Sequence, residues 1–95
     1  MKVRISHKAN EDIMCIYLYL EDVFGISVAD RKIANLYRDI NHLINNPFMG
    51  KSVYGKDQNL RTLFSKPNII LYDINNDVIE ILHILDGRSN WINTV

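Results

Sequence analysis

Cysteine is almost absent from this chain: Cys15 is the single one in 95 residues. A disulfide framework within the chain is therefore impossible, and nothing in the composition calls for an oxidising compartment. Net charge is absent too. Eleven basic residues balance eleven acidic ones, so the total argues neither for nor against a nucleic-acid partner. No apolar run approaches the roughly 20 residues that cross a bilayer. The opening MKVRISHKANEDI has no long apolar stretch and carries early acids, so no secretory signal is expected. Glycine is scarce, and Gly50 and Gly55 stand alone rather than in a phosphate-cradling loop. The histidines, His7, His42 and His83, are far apart and lack the Cys or carboxylate spacing of a metal site. These absences predict a soluble, cytoplasmic protein with no membrane segment, metal or cofactor.

What is present is a globular composition. The apolar fraction is 47%, which argues against disorder and for one domain spanning residues 1–95. Charge is unevenly placed: Lys51, Lys56, Arg61 and Lys66 face a single nearby acid, Asp57. That stretch is either a mild electrostatic footprint or a solvated loop and edge strand.

The hydrophobic period changes along the chain. KVRIS, residues 2–6, alternates and predicts a short strand with Val3 and Ile5 inward. Ala9, Ile13, Ile16, Tyr17 and Leu20 then recur at helical spacing. Cys15 lies in this pattern and reads as a small core hydrophobe. Asn10, Glu11 and Asp12 suit the start of the helix, and Gly25 suits its end. A second helix is predicted at once, capped by Ser27 with Asp30 three residues on. Its buried stripe is Ala29, Ile33, Leu36, Tyr37, Ile40, Leu43 and Ile44, and Asn45-Asn46-Pro47 ends it. Helices joined so briefly pack as an antiparallel hairpin. After a loop or weak strand over 48–58 come strands 60–65, 69–74 and 78–85, separated by KPN and NND turns.

The predicted fold is α+β: an N-terminal strand and a helical hairpin packed on one face of a small antiparallel sheet, in the order β-α-α-β-β-β. The last strand, VIEILHIL, is the unusual one. Strict alternation puts Val78, Leu82 and Ile84 on one face and Ile79, Ile81 and Leu85 on the other. A strand apolar on both faces needs cover on both, and two helices cover one. The second cover is either a partner segment or the chain itself, through residues 86–95 or the 48–58 loop.

ANEDIMCIYLYL, NNPFMGKSV, LRTLF and IEILHILDGRSNW together resemble the RelE/ParE superfamily of bacterial toxins, over nearly the whole chain and in the family's order. Pro47 with Gly50, Leu60-Arg61, and Ile81-Leu82 running to Gly87-Arg88 carry most of the likeness. The resemblance implies the toxin half of a type II toxin–antitoxin module, often serving plasmid stabilisation, with a cognate antitoxin wrapped over sheet and hairpin. It also implies one of two targets. RelE-like members cut mRNA in the ribosome; ParE-like members poison DNA gyrase by protein–protein binding.

The chemistry favours the second. RNA cleavage through the 2′-hydroxyl needs a base, an acid and cations for the phosphorane. RelE-like toxins resemble one another in a dense set of Lys and Arg on the central strands. Here Ile69 stands where such an arginine lies, and Trp91 and Thr94 follow Arg88 in place of a tyrosine. A nuclease rests on Arg61, His83 and Arg88 alone. Arg61 and Arg88 read either as a pair for phosphate or carboxylate or as partners of Asp86 or Asp73. Trp91 reads as an interface anchor or as a pin for the tail. Tyr17, Tyr19 and Tyr37 read as packing. The expected contact set for target or antitoxin is Arg61, Lys66, Tyr72, Ile81, His83, Arg88 and Trp91. The expectation is thus a ParE-like gyrase inhibitor, with an mRNA endonuclease or a degenerate, non-toxic antitoxin-binding module as alternatives. A homodimer or a toxin–antitoxin hetero-oligomer is compatible with each.

Overall fold

The computed structural model describes residues 1–53, 55 and 57–87. It contains β1 (Lys2–Ile5), α1 (His7–Phe24), α2 (Ile26–His42), β2 (Lys51–Ser52), β3 (Leu60–Ser65), β4 (Asn68–Asn75) and β5 (Val78–Asp86). Among the described residues the strands form one sheet in the order β1-β5-β4-β3-β2. The expected α+β architecture is present, with one change: β1 runs parallel to β5, pairing Val3 with Ile79 and Ile5 with Ile81, so the sheet is antiparallel only from β5 to β2.

Ser6 makes the turn from β1 into α1. Its hydroxyl oxygen accepts the Ala9 amide at 3.0 Å and donates to the Leu82 carbonyl, so one side chain caps the helix and ties it to β5. Gly25 alone joins the two helices. Its amide donates to the Glu21 carbonyl and its own carbonyl accepts from Ala29. With φ 94° and ψ 167°, it occupies a region essentially confined to glycine. The expected Ser27 cap does not form: α2 begins at Ile26, and no side chain caps it. Asp30 instead accepts the Tyr17 hydroxyl at 2.7 Å, which pins the folded-back hairpin across its width.

The core lies between the hairpin and one face of the sheet. Ala9, Ile13, Leu36, Ile40 and Leu43 meet Ile70, Tyr72, Ile74, Ile79, Ile81 and Ile84. Two helix expectations are corrected. Cys15 is exposed, because it points away from the Ala9–Ile13 stripe, and Tyr37 is exposed as well.

The alternation expected for β5 is also corrected. Leu71 pairs with His83 but Tyr72 pairs with Ile81, leaving Leu82 as an extra residue in a β-bulge. The bulge shifts the phase. Ile79, Ile81 and Ile84 all face the core, while Leu82 is half-buried. On β4, the expected division holds: Ile70, Tyr72 and Ile74 join the core cluster, and Ile69, Leu71 and Asp73 do not.

Candidate protein-binding site

Among the described residues, the sequence-predicted contact residues do not gather in one place. Tyr72 and Ile81 have no accessible surface, so both belong to the core rather than to a surface that a partner can touch. Arg88 and Trp91 lie outside the described residues, and so do the pairing of Arg88 with Arg61 and both readings of Trp91. Arg61, Lys66 and His83 are each partly or fully exposed and sit in three different settings.

Arg61 and Tyr72 hold the loop that follows α2. The Tyr72 hydroxyl donates to the Pro47 carbonyl at 2.8 Å and accepts the Gly50 amide at 2.9 Å. Arg61 Nη1 donates to the Gly50 carbonyl at 2.7 Å and lies 3.4 Å from the Phe48 carbonyl. Its guanidinium sits 4.7 Å from the centre of the Phe48 ring, within cation–π range. Burial is the main cause that pushes the Tyr72 phenol above its ordinary value, against the opposing pull of Gly50 and Arg61. Of the two readings of Arg61, neither describes its hydrogen bonds here, which go to backbone carbonyls.

His83 faces α1. Its Nδ1 lies 3.5 Å from Asp12 Oδ2, and the same carboxylate oxygen accepts the Ile84 amide at 3.0 Å. Asp12 also pairs with Lys8 at 3.0 Å; the hydrogen bond and charge of Asp12 raise the lysine's pKa. Asp12 therefore satisfies the edge of β5 beyond the end of β1. Sequence reading placed Asp12 near a helix start, not at a sheet edge.

Lys66 borders a cavity of about 760 Å³ between the hairpin and the β3–β4 turn. Tyr19, Leu20 and Phe24 of α1, Lys32 and Asp39 of α2, and Pro67 and Asn68 line it. Ser65 donates to Asp39 at 2.6 Å at its floor. Around this cavity and along the hairpin, Met14, Leu18, Tyr19, Val23, Phe24, Ile26 and Tyr37 are exposed. A second hollow opens between Met14, Tyr17, Leu18, Ile33 and Tyr37. The uncovered apolar surface thus lies largely on the helices, whereas the sequence placed it on the sheet. On the sheet, Phe64 is the large exposed apolar side chain, at 65%. The available signal was in α1, where Met14 and Leu18 fall off the Ala9–Ile13–Ile16–Leu20 stripe.

Among the described residues no group of three or more His, Cys, Asp or Glu is placed to hold a metal ion. No helix among them is long and apolar enough to cross a membrane. The arrangement is one of exposed apolar surface beside a cavity that carries both Lys32, Arg38 and Lys66 and Asp39 and Asp86.

Comparison with known proteins agrees with this geometry. Toxin ParE3 of Caulobacter vibrioides is 33% identical over 66 residues, which are 70% of this chain and 66% of that protein. The chain thus spans just under two thirds of that relative's length. The fold matches the chromosomal ParDE toxin–antitoxin system of P. aeruginosa with a TM-score of 0.79 at 20% identity, over 90% of this chain and 95% of that one. It matches a YoeB/ParE toxin from Agrobacterium tumefaciens with a TM-score of 0.63 at 13% identity, over 90% and 98%. The family model described as the ParE toxin of the type II toxin–antitoxin system parDE matches residues 3–91. With the two-helix hairpin, the sheet and nearly the full chain inside that match, this protein belongs to the ParE toxin family of type II toxin–antitoxin systems.

Proposed function

We propose that this ParE-family toxin acts in the cytoplasm by binding DNA gyrase, and that a cognate antitoxin neutralises it by covering the helical hairpin. The module it forms serves plasmid or replicon stabilisation. The observation that carries this reading is the run of exposed apolar side chains on the hairpin, from Met14 through Phe24 to Ile26. Exposed apolar side chains gathered around hollows support a protein-binding site: Met14, Leu18 and Tyr37 border one hollow, and Tyr19 and Phe24 border the cavity beside Lys66.

The cations on the sheet support a binding toxin over a nuclease. Arg61 spends Nη1 on two backbone carbonyls, and His83 faces Asp12 on α1. Neither is grouped with the other around a cleft.

The test is purified toxin in a gyrase supercoiling assay, beside pulse labelling of DNA and protein synthesis after induction. Inhibited supercoiling, reversed by antitoxin, and early loss of DNA synthesis are expected. Loss of protein synthesis with DNA synthesis spared replaces this reading with an mRNA endonuclease. Harmless expression replaces it with a non-toxic antitoxin-binding module.

A further inference from the structure

The loop between α2 and β2 is built more firmly than a connection requires. Pro47, Phe48 and Gly50 have carbonyls held by Tyr72 or Arg61. The Gly50 amide donates to Tyr72, and the Met49 amide donates to the Asn46 carbonyl. Gly50 has no room for a side chain: a Cβ there would stand 2.5 Å from the Thr62 carbonyl and 2.6 Å from the Tyr72 hydroxyl. The clamp also leaves Arg61 Nε buried without a partner, a cost that native structures rarely carry without a use.

What this clamp presents is apolar. Phe48 is 57% exposed and Met49 is 45% exposed. A connection that only had to reach β2 gains nothing from two large uncovered side chains at its crest. Cations surround them. Lys51 stands two residues beyond Met49, and the Arg61 guanidinium lies over the Phe48 ring. Among the described residues neither cation forms an ion pair with a carboxylate.

The crest is also remote from the hairpin tip. Gly25 and Phe24 stand at one end of α2 and the loop at the other; 17 residues of helix at ~1.5 Å each separate them by about 25 Å. One extended surface beside Gly25 and one compact, rigid, cationic-apolar knob are two different kinds of binding element.

We infer that Phe48 and Met49 form a preformed knob that seats in an apolar socket on an acidic surface of the toxin's protein target, separate from the surface that the antitoxin covers. This rests on the proposed reading as a gyrase-binding toxin. Rigidity supplies the reason for the clamp: a loop fixed before binding loses less conformational freedom on docking. Charge supplies the reason for the target's acidity, since Lys51 and Arg61 bring unneutralised positive charge to the contact.

The test uses the full chain carrying Phe48→Ala with Met49→Ser, and separately Lys51→Glu. Three quantities are measured for each: the toxin concentration that half-inhibits purified gyrase, the Kd for the cognate antitoxin, and the urea midpoint. The double variant is expected to need at least about tenfold more toxin, as loss of a hot-spot pair does. Antitoxin Kd should stay within about twofold of wild type, since these side chains lie outside the hairpin surface assigned to it. Lys51→Glu, on a solvated side chain that the fold does not use, is expected to weaken inhibition at low salt, with the deficit shrinking as salt rises. It decides the matter if the double variant is unstable. Wild-type potency in Lys51→Glu, or in a stably folded double variant, overturns the knob and leaves the gyrase reading standing. A parallel fall in antitoxin affinity also overturns it, by assigning the loop to the antitoxin. Failure of the wild-type protein to inhibit gyrase removes the reading itself, and the knob's assigned partner with it.

Discussion

The hydroxyl of Tyr72, on the core face of β4, accepts the amide proton of Gly50 at 2.9 Å, from a residue 22 positions earlier in the chain. The same oxygen donates to Pro47, so one buried atom closes the loop after α2. Tyr72→Phe keeps the ring in the core and strands both backbone groups. Unmade buried hydrogen bonds cost about 1–3 kcal/mol each, so the urea midpoint should fall while the circular dichroism spectrum persists. An unchanged midpoint would show that water replaces the hydroxyl at no cost.

Gly50→Ala tests the same closure from the other side. Its Cβ would meet the Thr62 carbonyl and the Tyr72 hydroxyl inside van der Waals distance, and neither is the free end of a flexible side chain. The loop must move away from β3, breaking the contacts of Arg61 and Tyr72 together. The loss should therefore exceed that of Tyr72→Phe, and combining the two should cost less than their sum. Full additivity in a double-mutant cycle would separate the two effects.

Much of this architecture was legible in local pattern. The helical stripe ending at Gly25, the Pro47 stop and the turns at 66–68 and 75–77 depend on near neighbours, and the elements lie where those signals put them. The bulge at Leu82 was not legible. It occurs where Ser6 takes the Leu82 carbonyl and Asp12 takes the Ile84 amide, partners 76 and 72 residues away. The parallel pairing of β1 is equally non-local. Arg61 and Tyr72 looked like candidates for partner contact because their chemistry suits it. Only the fold turns that chemistry inward, onto the backbone of residues 47–50.

Asp73 makes a pH prediction. Burial, with added repulsion from Asp57 and Glu80, raises its carboxyl above the ordinary value of 3.8. A carboxyl raised on folding binds its proton more tightly in the native state. Its contribution is therefore fully present below pH 3.8 and is lost as pH rises through the higher folded value. At neutral pH the ionised group opposes folding. Asp73→Asn should raise the urea midpoint at neutral pH, and the gain should shrink at acid pH, below the ordinary carboxylate range. An equal gain at both pH values would assign the effect to packing.

Cys15 gives a chemical check on the orientation of α1. Its thiol is exposed in the native fold. Reaction with an aromatic disulfide reagent should proceed in native protein at a rate within about tenfold of that in denaturant, because access rather than unfolding sets it. Reaction only after unfolding would mean that this face of α1 is covered, by a second copy of the chain for example. Repeating the measurement at several protein concentrations separates that case, since cover by self-association fades on dilution.

Leu82 and Ile81 are adjacent on β5 and apolar, yet they meet opposite fates. Ile81 has no accessible surface and packs in the core cluster, whereas Leu82 is half-buried as the unpaired residue of the bulge. Ile81→Asp places an unpaired carboxylate in the core, where neutralising or hydrating it costs several kcal/mol, on the order of a small domain's whole stability. Leu82→Asp leaves the new charge in reach of water, and its cost should be on the order of 1–2 kcal/mol. The first variant should be unfolded or insoluble, and the second should give a cooperative urea transition at a lower midpoint. Comparable damage from both would mean that the sheet face opposite the hairpin is covered as well. The bulge itself is tested by Ile84→Asp against Leu85→Asp: the phase shift brings Ile84 to the core beside Ile79 and Ile81, whereas strict alternation puts Leu85 there, so a greater loss from Leu85→Asp would remove the bulge.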